Sequence, residues 1–268
     1  MNAGPCIFGI LNITEDSFSD GGRFLDPAAA IAHAERLAAD GAGAVDIGAA
    51  SSNPASKGVP PELEIERLTP VVARLRERQI PVSVDSFSLP VQRWSLAQHV
   101  AYLNDIHGFP NPELYEALSS SPTRLIVMHA VQEDGPADKR KVDPWEIFDR
   151  VARFFDGRLT TLERAGIARD RLILDPGMGF FLGTVAEASY TVLRRLPELK
   201  RKFGLPILIS VSRKSFLRKI TGRKVRETGA ATLAAELFAV AQGADYIRTH
   251  DPGALRDALL VRDTLRGP

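Results

Sequence analysis

Polar and charged side chains end a succession of short apolar segments along this chain of 268 residues. Each apolar segment has the length and composition of a strand that is buried on both faces, so the polar residue after it lies at the strand's carboxyl end. In folds with parallel strands, these ends meet on the side of the sheet that binds substrates. The residues in question are Asn12, Asp46, Asp85, Asn104 with Asp105, Met128 with His129, Asp175, the segment 212–215, and Arg248 with His250.

Three of these positions suit a flat nitrogen heterocycle. Asp85 and Asp175 carry carboxylate acceptors, and Asn104 adds an amide that both donates and accepts. A heterocycle that presents several N–H donors and a carbonyl matches such a set. Isolated buried acids carry a large desolvation cost unless a partner matches them, so packing alone explains them poorly.

A second group of side chains suits an anion. Lys214, Arg248 and His250 are donors and mostly positive, and a helix that begins near Lys214 adds backbone N–H groups. Asn12 contributes a neutral amide oxygen, which is a suitable ligand for Mg²⁺ shared with a diphosphate, because the diphosphate itself brings the negative charge. The residues alone therefore indicate an enzyme that binds a nitrogen heterocycle beside an anionic leaving group.

The apolar segments alternate with helical patterns, which predicts an α/β fold formed by a single (β/α)8 TIM barrel over residues 1–268. An open doubly wound sheet is the alternative, but no Gly-x-Gly-x-x-Gly pattern follows the first strand. Strands are predicted at 7–11, 43–48, 80–85, 100–105, 124–129, 171–175, 205–211 and 244–248. Helices are predicted at 27–40 with Asp26 as the N-cap, 62–78, 90–99, 112–119, 144–165, 188–202, 214–220, 229–242 and 252–265.

Composition narrows the class of protein. The formal net charge is +1, so no strong attraction to nucleic acid or to an acidic membrane is expected. Cys6 is the single cysteine, which excludes an intrachain disulfide and fits a reducing compartment. No signal peptide and no apolar run of membrane-spanning length is visible, so we expect a cytoplasmic protein.

In its ordered motifs the chain resembles the dihydropteroate synthase family over nearly its whole length. The matching segments are GILNIT at 9–14, DSFSDGG at 16–22, SVDS at 83–86, NDI at 104–106, MH at 128–129, LDPGMGF at 174–180, SRKS at 212–215 and IRTH at 247–250. The resemblance implies a transferase that joins 6-hydroxymethyl-7,8-dihydropterin diphosphate to p-aminobenzoate with Mg²⁺, by a dissociative displacement, in folate biosynthesis.

The resemblance also implies a role for each matching residue. The pterin would be bound by Asp85, Asn104, Met128, Asp175 and Lys214, and the diphosphate by Asn12, Arg248 and His250. Asn12 would also bind the metal, and the catalytic residues would be Asp85, Asp175, Lys214 and Arg248. The p-aminobenzoate site would comprise Phe18, Ser52, Asn53, Pro54, Phe180, Phe181 and Ser215. The loops around Phe18 and Ser52 would close over this second substrate.

Two loops depart from the family pattern, and both lie beside the expected p-aminobenzoate site. The loop after strand 2 reads Ser-Ser-Asn-Pro where the family has Ser-Thr-Arg-Pro, so a cation has become a short amide at Asn53. After strand 6, Phe181 and Leu182 replace the usual Gly-Lys pair that follows Phe180. These changes resemble a sulfonamide-insensitive branch, in which Phe181 would exclude a bulkier inhibitor. Neutral loop variation is the alternative.

Other assignments stay open at this stage. A pterin-dependent methyltransferase would share the barrel and the pterin acids but has no use for the pair Arg248 and His250. A non-catalytic barrel would bind a pterin without turnover. We expect Asp105 to cap a turn, Asp46 to support the second loop, and the alanine-rich helix 229–242 to pack in a homodimer.

Overall fold

Eight parallel strands form one sheet in the computed structural model, which describes residues 4–14, 24–50, 58–132 and 141–267. The strands run in the order β6-β5-β4-β3-β2-β1-β8-β7. Their bounds are β1 Cys6–Asn12, β2 Ala44–Gly48, β3 Val82–Asp85, β4 Tyr102–Asp105, β5 Arg124–Met128, β6 Leu172–Asp175, β7 Leu208–Ile209 and β8 Tyr246–Thr249.

The sheet closes on itself between β6 and β7. Leu174 forms an isolated parallel bridge with Ile207, and its backbone N–H donates to the Pro206 carbonyl at 2.9 Å. Strand β7 is only two residues long although seven were predicted. Pro206 has no N–H to donate, which limits the ladder on the amino-terminal side of β7. The predicted (β/α)8 barrel is confirmed.

Helices surround the strands within the described ranges. Their bounds are α1 Pro27–Ala39, α2 Pro61–Glu77, α3 Leu89–Ala97, α4 Tyr115–Ser120, α5 Ile147–Arg164, α6 Ala186–Arg194, α7 Leu196–Phe203, α8 Ser215–Thr221, α9 Gly229–Ala241 and α10 Pro252–Arg266. Short 3₁₀ segments occupy Pro112–Leu114, Arg169–Arg171, Gly179–Leu182 and Val225–Glu227. Asp26 caps α1 as predicted, because its carboxylate accepts the Ala29 N–H at 2.8 Å. No helix in these ranges is long and apolar enough to cross a membrane.

The single helix predicted over residues 188–202 is wrong. The structure divides it into α6 and α7, which meet at Arg195. Pro197 lies in the first turn of α7, where its missing N–H costs nothing, whereas inside a continuous helix its ring would clash with the carbonyl four residues earlier. Helix α5 also begins three residues later than predicted.

Apolar side chains fill the amino-terminal half of the barrel interior. This plug is formed by Phe8, Ala44, Ile126, Ile173, Leu208 and Tyr246, with Cys6 and Tyr102 against it. The Arg124 guanidinium donates to the Tyr246 hydroxyl at 2.5 Å beneath it. A separate and larger cluster packs the strands against the helices. Because this half is filled, the open space of the barrel lies at the carboxyl ends of the strands, and we call this end the barrel mouth.

Candidate active site

Strand periodicity determines which side chains face the barrel mouth. Residues two apart along a strand face the same side, so the next inward position after each plug residue lies one layer closer to the mouth. On five strands that position carries the residue singled out from the sequence. The pairs, plug residue first, are Ala44 and Asp46, Tyr102 and Asn104, Ile126 and Met128, Ile173 and Asp175, and Tyr246 and Arg248.

Arg248 lies at the centre of this layer. Its Nε forms an ion pair with Asp46 Oδ2, and its Nη2 donates to Asp85 Oδ2 at 2.6 Å. The Arg248 side chain is only 13% exposed. Burial opposes its charge, but Asp46, Asp85 and Asp175 together outweigh this effect and raise the pKa of Arg248. The cation is therefore permanent, and it neutralises a group of buried acids.

Asp46 was expected only to support the second loop, and this expectation was wrong. It is fully buried in the barrel and pairs directly with Arg248. Burial raises the pKa of Asp46 to about 6, with a further contribution from Asp85, while Arg248 acts in the opposite direction. Its place at the end of strand 2 was visible in the sequence, but its partner on β8 was not.

Asp175 and Lys214 form the opposite side of the mouth. Asp175 is buried, and its Oδ1 accepts the Gly177 N–H at 2.8 Å. Burial raises the pKa of Asp175 to about 6, although Lys214 and Arg248 favour its charged form. Burial, then the Arg248 cation, lowers the pKa of Lys214 to about 8. These opposed shifts are those of groups held together in a partly desolvated site.

Asn104 is the clearest candidate for a residue that binds a polar ligand. The side chain is fully buried, and neither amide atom has a hydrogen-bond partner among the described residues. Buried polar groups are almost always paired, because an unpaired amide costs about 1–3 kcal/mol. Asn104 is directly opposite Asp85 in the β3–β4 register. A polar ligand that bridges these two residues would remove the penalty.

A small apolar cluster borders the polar layer. Met128 and Phe181 pack together with Ile106, and Phe180 lies against them. Phe181 belongs to the 3₁₀ segment after β6, and Lys214 Nζ lies 4.9 Å from the centre of its ring. The cluster offers an apolar surface beside the acids, which suits one face of a planar ring.

His250 and Asn12 lie at the end of the two neighbouring strands β8 and β1. Ser212 Oγ accepts the His250 backbone N–H at 3.2 Å and lies 2.8 Å from its Nδ1. Burial and the cations Arg213, Arg248 and Lys214 lower the pKa of His250 well below its usual range, so the ring is neutral. Ser212 belongs to the segment 212–215 noted in the sequence, but no role was assigned to it there. Asn12 is half-buried and ends β1 opposite Gly48.

The residues expected around p-aminobenzoate are only partly described. Phe18, Ser52, Asn53 and Pro54 lie outside the described residues. Ser215 is half-buried at the first position of α8 and borders a shallow cleft of about 170 Å³, including open solvent, with Gly179, Thr184 and Lys219. Asp105 caps the turn after β4 as expected, since it accepts the N–H groups of His107 and Phe109.

Comparison with known proteins agrees with this geometry. The family described as Pterin binding enzyme matches residues 8–250, which include every mouth residue discussed above. The chain belongs to this family. It is 55% identical to Dihydropteroate synthase type-2 of Escherichia coli over 266 residues, which cover 99% of this chain and 98% of that protein. It is 51% identical to Dihydropteroate synthase type-3 of Escherichia coli, over 97% of this chain and 98% of that protein.

Solved structures extend the similarity to the fold of this pterin binding enzyme. A Xanthomonas albilineans dihydropteroate synthase with 4-aminobenzoic acid matches with a TM-score of 0.88 and 36% identity, covering 99% of this chain and 94% of that chain. A Yersinia pestis dihydropteroate synthase in a sulfonamide drug complex matches with a TM-score of 0.88 and 32% identity, covering 98% of this chain and 94% of that chain.

Proposed function

We propose that the barrel mouth condenses 6-hydroxymethyl-7,8-dihydropterin diphosphate with p-aminobenzoate to give 7,8-dihydropteroate and diphosphate, in folate biosynthesis. The observation that carries the proposal is the buried, unpaired Asn104 beside Asp85, within a layer of acids that also holds a permanent cation. Relatives at 49–55% identity over nearly the whole chain are named dihydropteroate synthases, which supports the same activity.

The pterin binds between the acids and the apolar cluster. Asn104, Asp85 and Asp175 take up the N–H donors and the carbonyl of the ring, and Met128 packs on its face. Lys214 bridges from the ring to the diphosphate. Because Asn104 and Asp175 are buried, their hydrogen bonds to the ring form in a low local dielectric and are stronger than in water.

The reaction is a dissociative displacement at the pterin methylene. The bond between the methylene carbon and the diphosphate oxygen breaks, and its electron pair leaves with the diphosphate. The carboxylates of Asp85 and Asp175 favour the pterin cation that remains. The neutral amine of p-aminobenzoate then forms the carbon–nitrogen bond, and its proton passes to water.

The leaving diphosphate meets positive or neutral donors. Arg248 uses Nε and Nη2 for Asp46 and Asp85, and its remaining guanidinium N–H groups are directed to the diphosphate in our proposal. Neutral His250 adds a hydrogen-bond donor. Lys214 supplies a further positive charge when protonated, which a pKa of about 8 permits near neutral pH.

Mg²⁺ would be held mainly by the substrate. No group of three or more acidic, histidine or cysteine side chains in the described ranges suits a metal ion. The amide oxygen of Asn12 is a neutral ligand at the mouth, and Mg²⁺ typically takes few protein ligands, with phosphate oxygens and water completing its coordination. When bound, the ion would neutralise charge that develops on the diphosphate.

The second substrate is proposed to bind beside Ser215, Phe180 and Phe181, with Phe18 and Asn53 as further contacts. Phe181 packs on Met128 and lies near Lys214, so it borders the proposed pterin site and narrows access to it. We propose that Phe181 excludes the additional ring of a sulfonamide while admitting the smaller p-aminobenzoate.

A homodimer is proposed on the face formed by α9 and α10. These helices pack on each other and leave Phe238, Leu260, Val261 and Leu265 exposed. Adjacent exposed apolar residues of this kind mark association surfaces. Sedimentation of the wild type as a monomer at working concentration would contradict this proposal.

We place the enzyme in the cytoplasm, on the basis of its single half-buried cysteine.

The activity is tested by measuring diphosphate and dihydropteroate together, with both substrates present. We expect equal amounts of both products, and about a hundredfold loss of kcat in Asp175→Asn, as for other single groups that stabilise transition-state charge. Asp170→Asn is the matched control, since this exposed acid lies beyond the opposite end of β6. Binding of the pterin without products would favour the non-catalytic barrel, and methyl transfer without diphosphate release would favour the methyltransferase.

A further inference from the structure

Three polar side chains lie behind the proposed pterin site, on the side of the strands that faces the helices. They belong to Ser86, Gln92 and Asp105, and all three are buried. Ser86 directly follows Asp85 at the end of β3, and Asp105 directly follows Asn104 at the end of β4. Because successive strand residues face opposite sides, the acid Asp105 faces away from the substrate space.

Gln92 on α3 connects the two strand ends. Its Nε2 donates to the Ser86 carbonyl at 2.9 Å and to Asp105 Oδ2 at 2.8 Å. A primary amide has two N–H donors, so both are used in this arrangement. The Ser86 N–H also donates to the Asn104 carbonyl at 3.0 Å, which continues the ladder between the same two ends.

The side chains that form this connection are buried and hydrogen-bonded. Asp105 is 1% exposed, and its carboxylate accepts from His107 N at 2.8 Å and Phe109 N at 3.0 Å as well as from Gln92. Gln92 is 2% exposed. A buried network whose members are satisfied makes a unique geometry more rigid, whereas apolar side chains of the same size would fill this layer without directional bonds.

Helix α2 also binds the turn that follows β3. Ser86 Oγ accepts the Ser88 N–H at 3.2 Å and donates to Glu64 Oε2 at 3.1 Å. Glu64 is buried on α2. The backbone just after Asp85 is therefore attached to α2 through Glu64 and to α3 through Gln92, while only Gln92 also reaches the end of β4.

We infer that Gln92 is a positioning residue for pterin recognition, which sets the spacing of Asp85 and Asn104 by joining the two strand ends that carry them. The inference rests on the proposed function of those two residues. Gln92 does not touch the substrate. Its hydrogen bonds reach only the strand ends that carry Asp85 and Asn104, two of the residues proposed to bind the ring, so its loss should change pterin binding and leave the p-aminobenzoate site unchanged.

The test compares Gln92→Met, which keeps length and removes both donors, with Gln92→Glu, which places an acceptor against Asp105. Gln98→Met is the control, since Gln98 is half-buried at the end of the same helix. For each variant we would measure the Kd of a dihydropterin that lacks the diphosphate, and the KM of p-aminobenzoate, at a temperature where circular dichroism shows the fold intact.

We expect the pterin Kd to rise about tenfold in Gln92→Met, which corresponds to the loss of about one net hydrogen bond between the ring and a displaced Asp85 or Asn104, and to rise more in Gln92→Glu. The KM of p-aminobenzoate should change less than about twofold. Gln92→Asn, which is one methylene shorter and keeps the amide, should fall between wild type and Met and serves if the other variants are unstable.

A pterin Kd within about twofold of wild type in folded variants would overturn the inference. Equal changes in both constants would also overturn it, because a general loss of stability affects both sites alike. Failure of the proposed function is distinct from these outcomes: the wild type itself would then form no dihydropteroate, whatever the Gln92 variants do.

Discussion

Replacing Arg248 by Met should make the stability of this protein depend strongly on pH. Arg248 is the cation that contacts the buried Asp46 and the neighbouring Asp85. Removing one partner of a buried ion pair leaves an uncompensated charge and costs about 3–5 kcal/mol. That cost applies only while the carboxylates are ionised.

The pKa values of the wild type determine whether stability rises or falls with pH. Burial raises the pKa of Asp46 and of Asp175 to about 6, above their ordinary value of 3.8. A carboxyl group whose pKa is higher in the folded than in the unfolded protein contributes stability that is complete below its pKa in the unfolded state. This contribution is lost as pH rises through its pKa in the folded state. Without Arg248 both pKa values rise further, so the variant loses more stability than the wild type above about pH 6.

The assay is urea unfolding of both proteins between about pH 5 and pH 8, at constant ionic strength. The deficit of Arg248→Met should be small at about pH 5, where Asp46 and Asp175 are mostly protonated, and reach about 3–5 kcal/mol at about pH 8. Arg171→Met is the control, because Arg171 donates to the carbonyls of Thr123 and Leu118, which do not titrate. A deficit of Arg248→Met that stays constant across this range would refute the reasoning.

Three further predictions concern other parts of the chain. Burial raises the pKa of Glu236 on α9 to about 8, so Glu236→Gln should gain about 2–3 kcal/mol relative to wild type between about pH 6 and pH 9, measured by urea unfolding; an unchanged difference would contradict this. Asn12→Leu should raise the Mg²⁺ concentration needed for half-maximal turnover at least about tenfold, while a parallel loss at every Mg²⁺ concentration would argue against metal binding. Deleting Phe181 should lower the Ki of a sulfonamide more than the KM of p-aminobenzoate; equal changes would leave loop variation as the explanation.

The strand ends were predictable because their pattern is local. An apolar run followed by a polar residue marks a strand terminus, and strand periodicity then places Asn104, Asp175 and Arg248 in one layer. The closed barrel followed from the alternation of these runs with amphipathic helices, even though β7 is far shorter than its apolar run suggested.

What escaped prediction depends on contacts between distant segments. Asp46 and Arg248 lie on β2 and β8, and only the closed barrel brings the long arginine side chain across to the acid. Gln92 has the appearance of an ordinary polar residue on a helix, because its two acceptors lie on different strands. The division between α6 and α7 depends on Pro197. Proline is accepted in the first turn of a helix and also at a kink, so the sequence is compatible with two helices or with one kinked helix.

The direct test of the mechanism is positional isotope exchange in the pterin diphosphate. Oxygen-18 is placed between the methylene carbon and the first phosphorus, and benzoate, which has no amine, occupies the second site. If the mouth stabilises a free pterin cation, the bond breaks and re-forms reversibly, and the label moves to non-bridging positions in recovered substrate. Label that stays in the bridge, with an enzyme that makes dihydropteroate once p-aminobenzoate is added, would contradict a dissociative displacement.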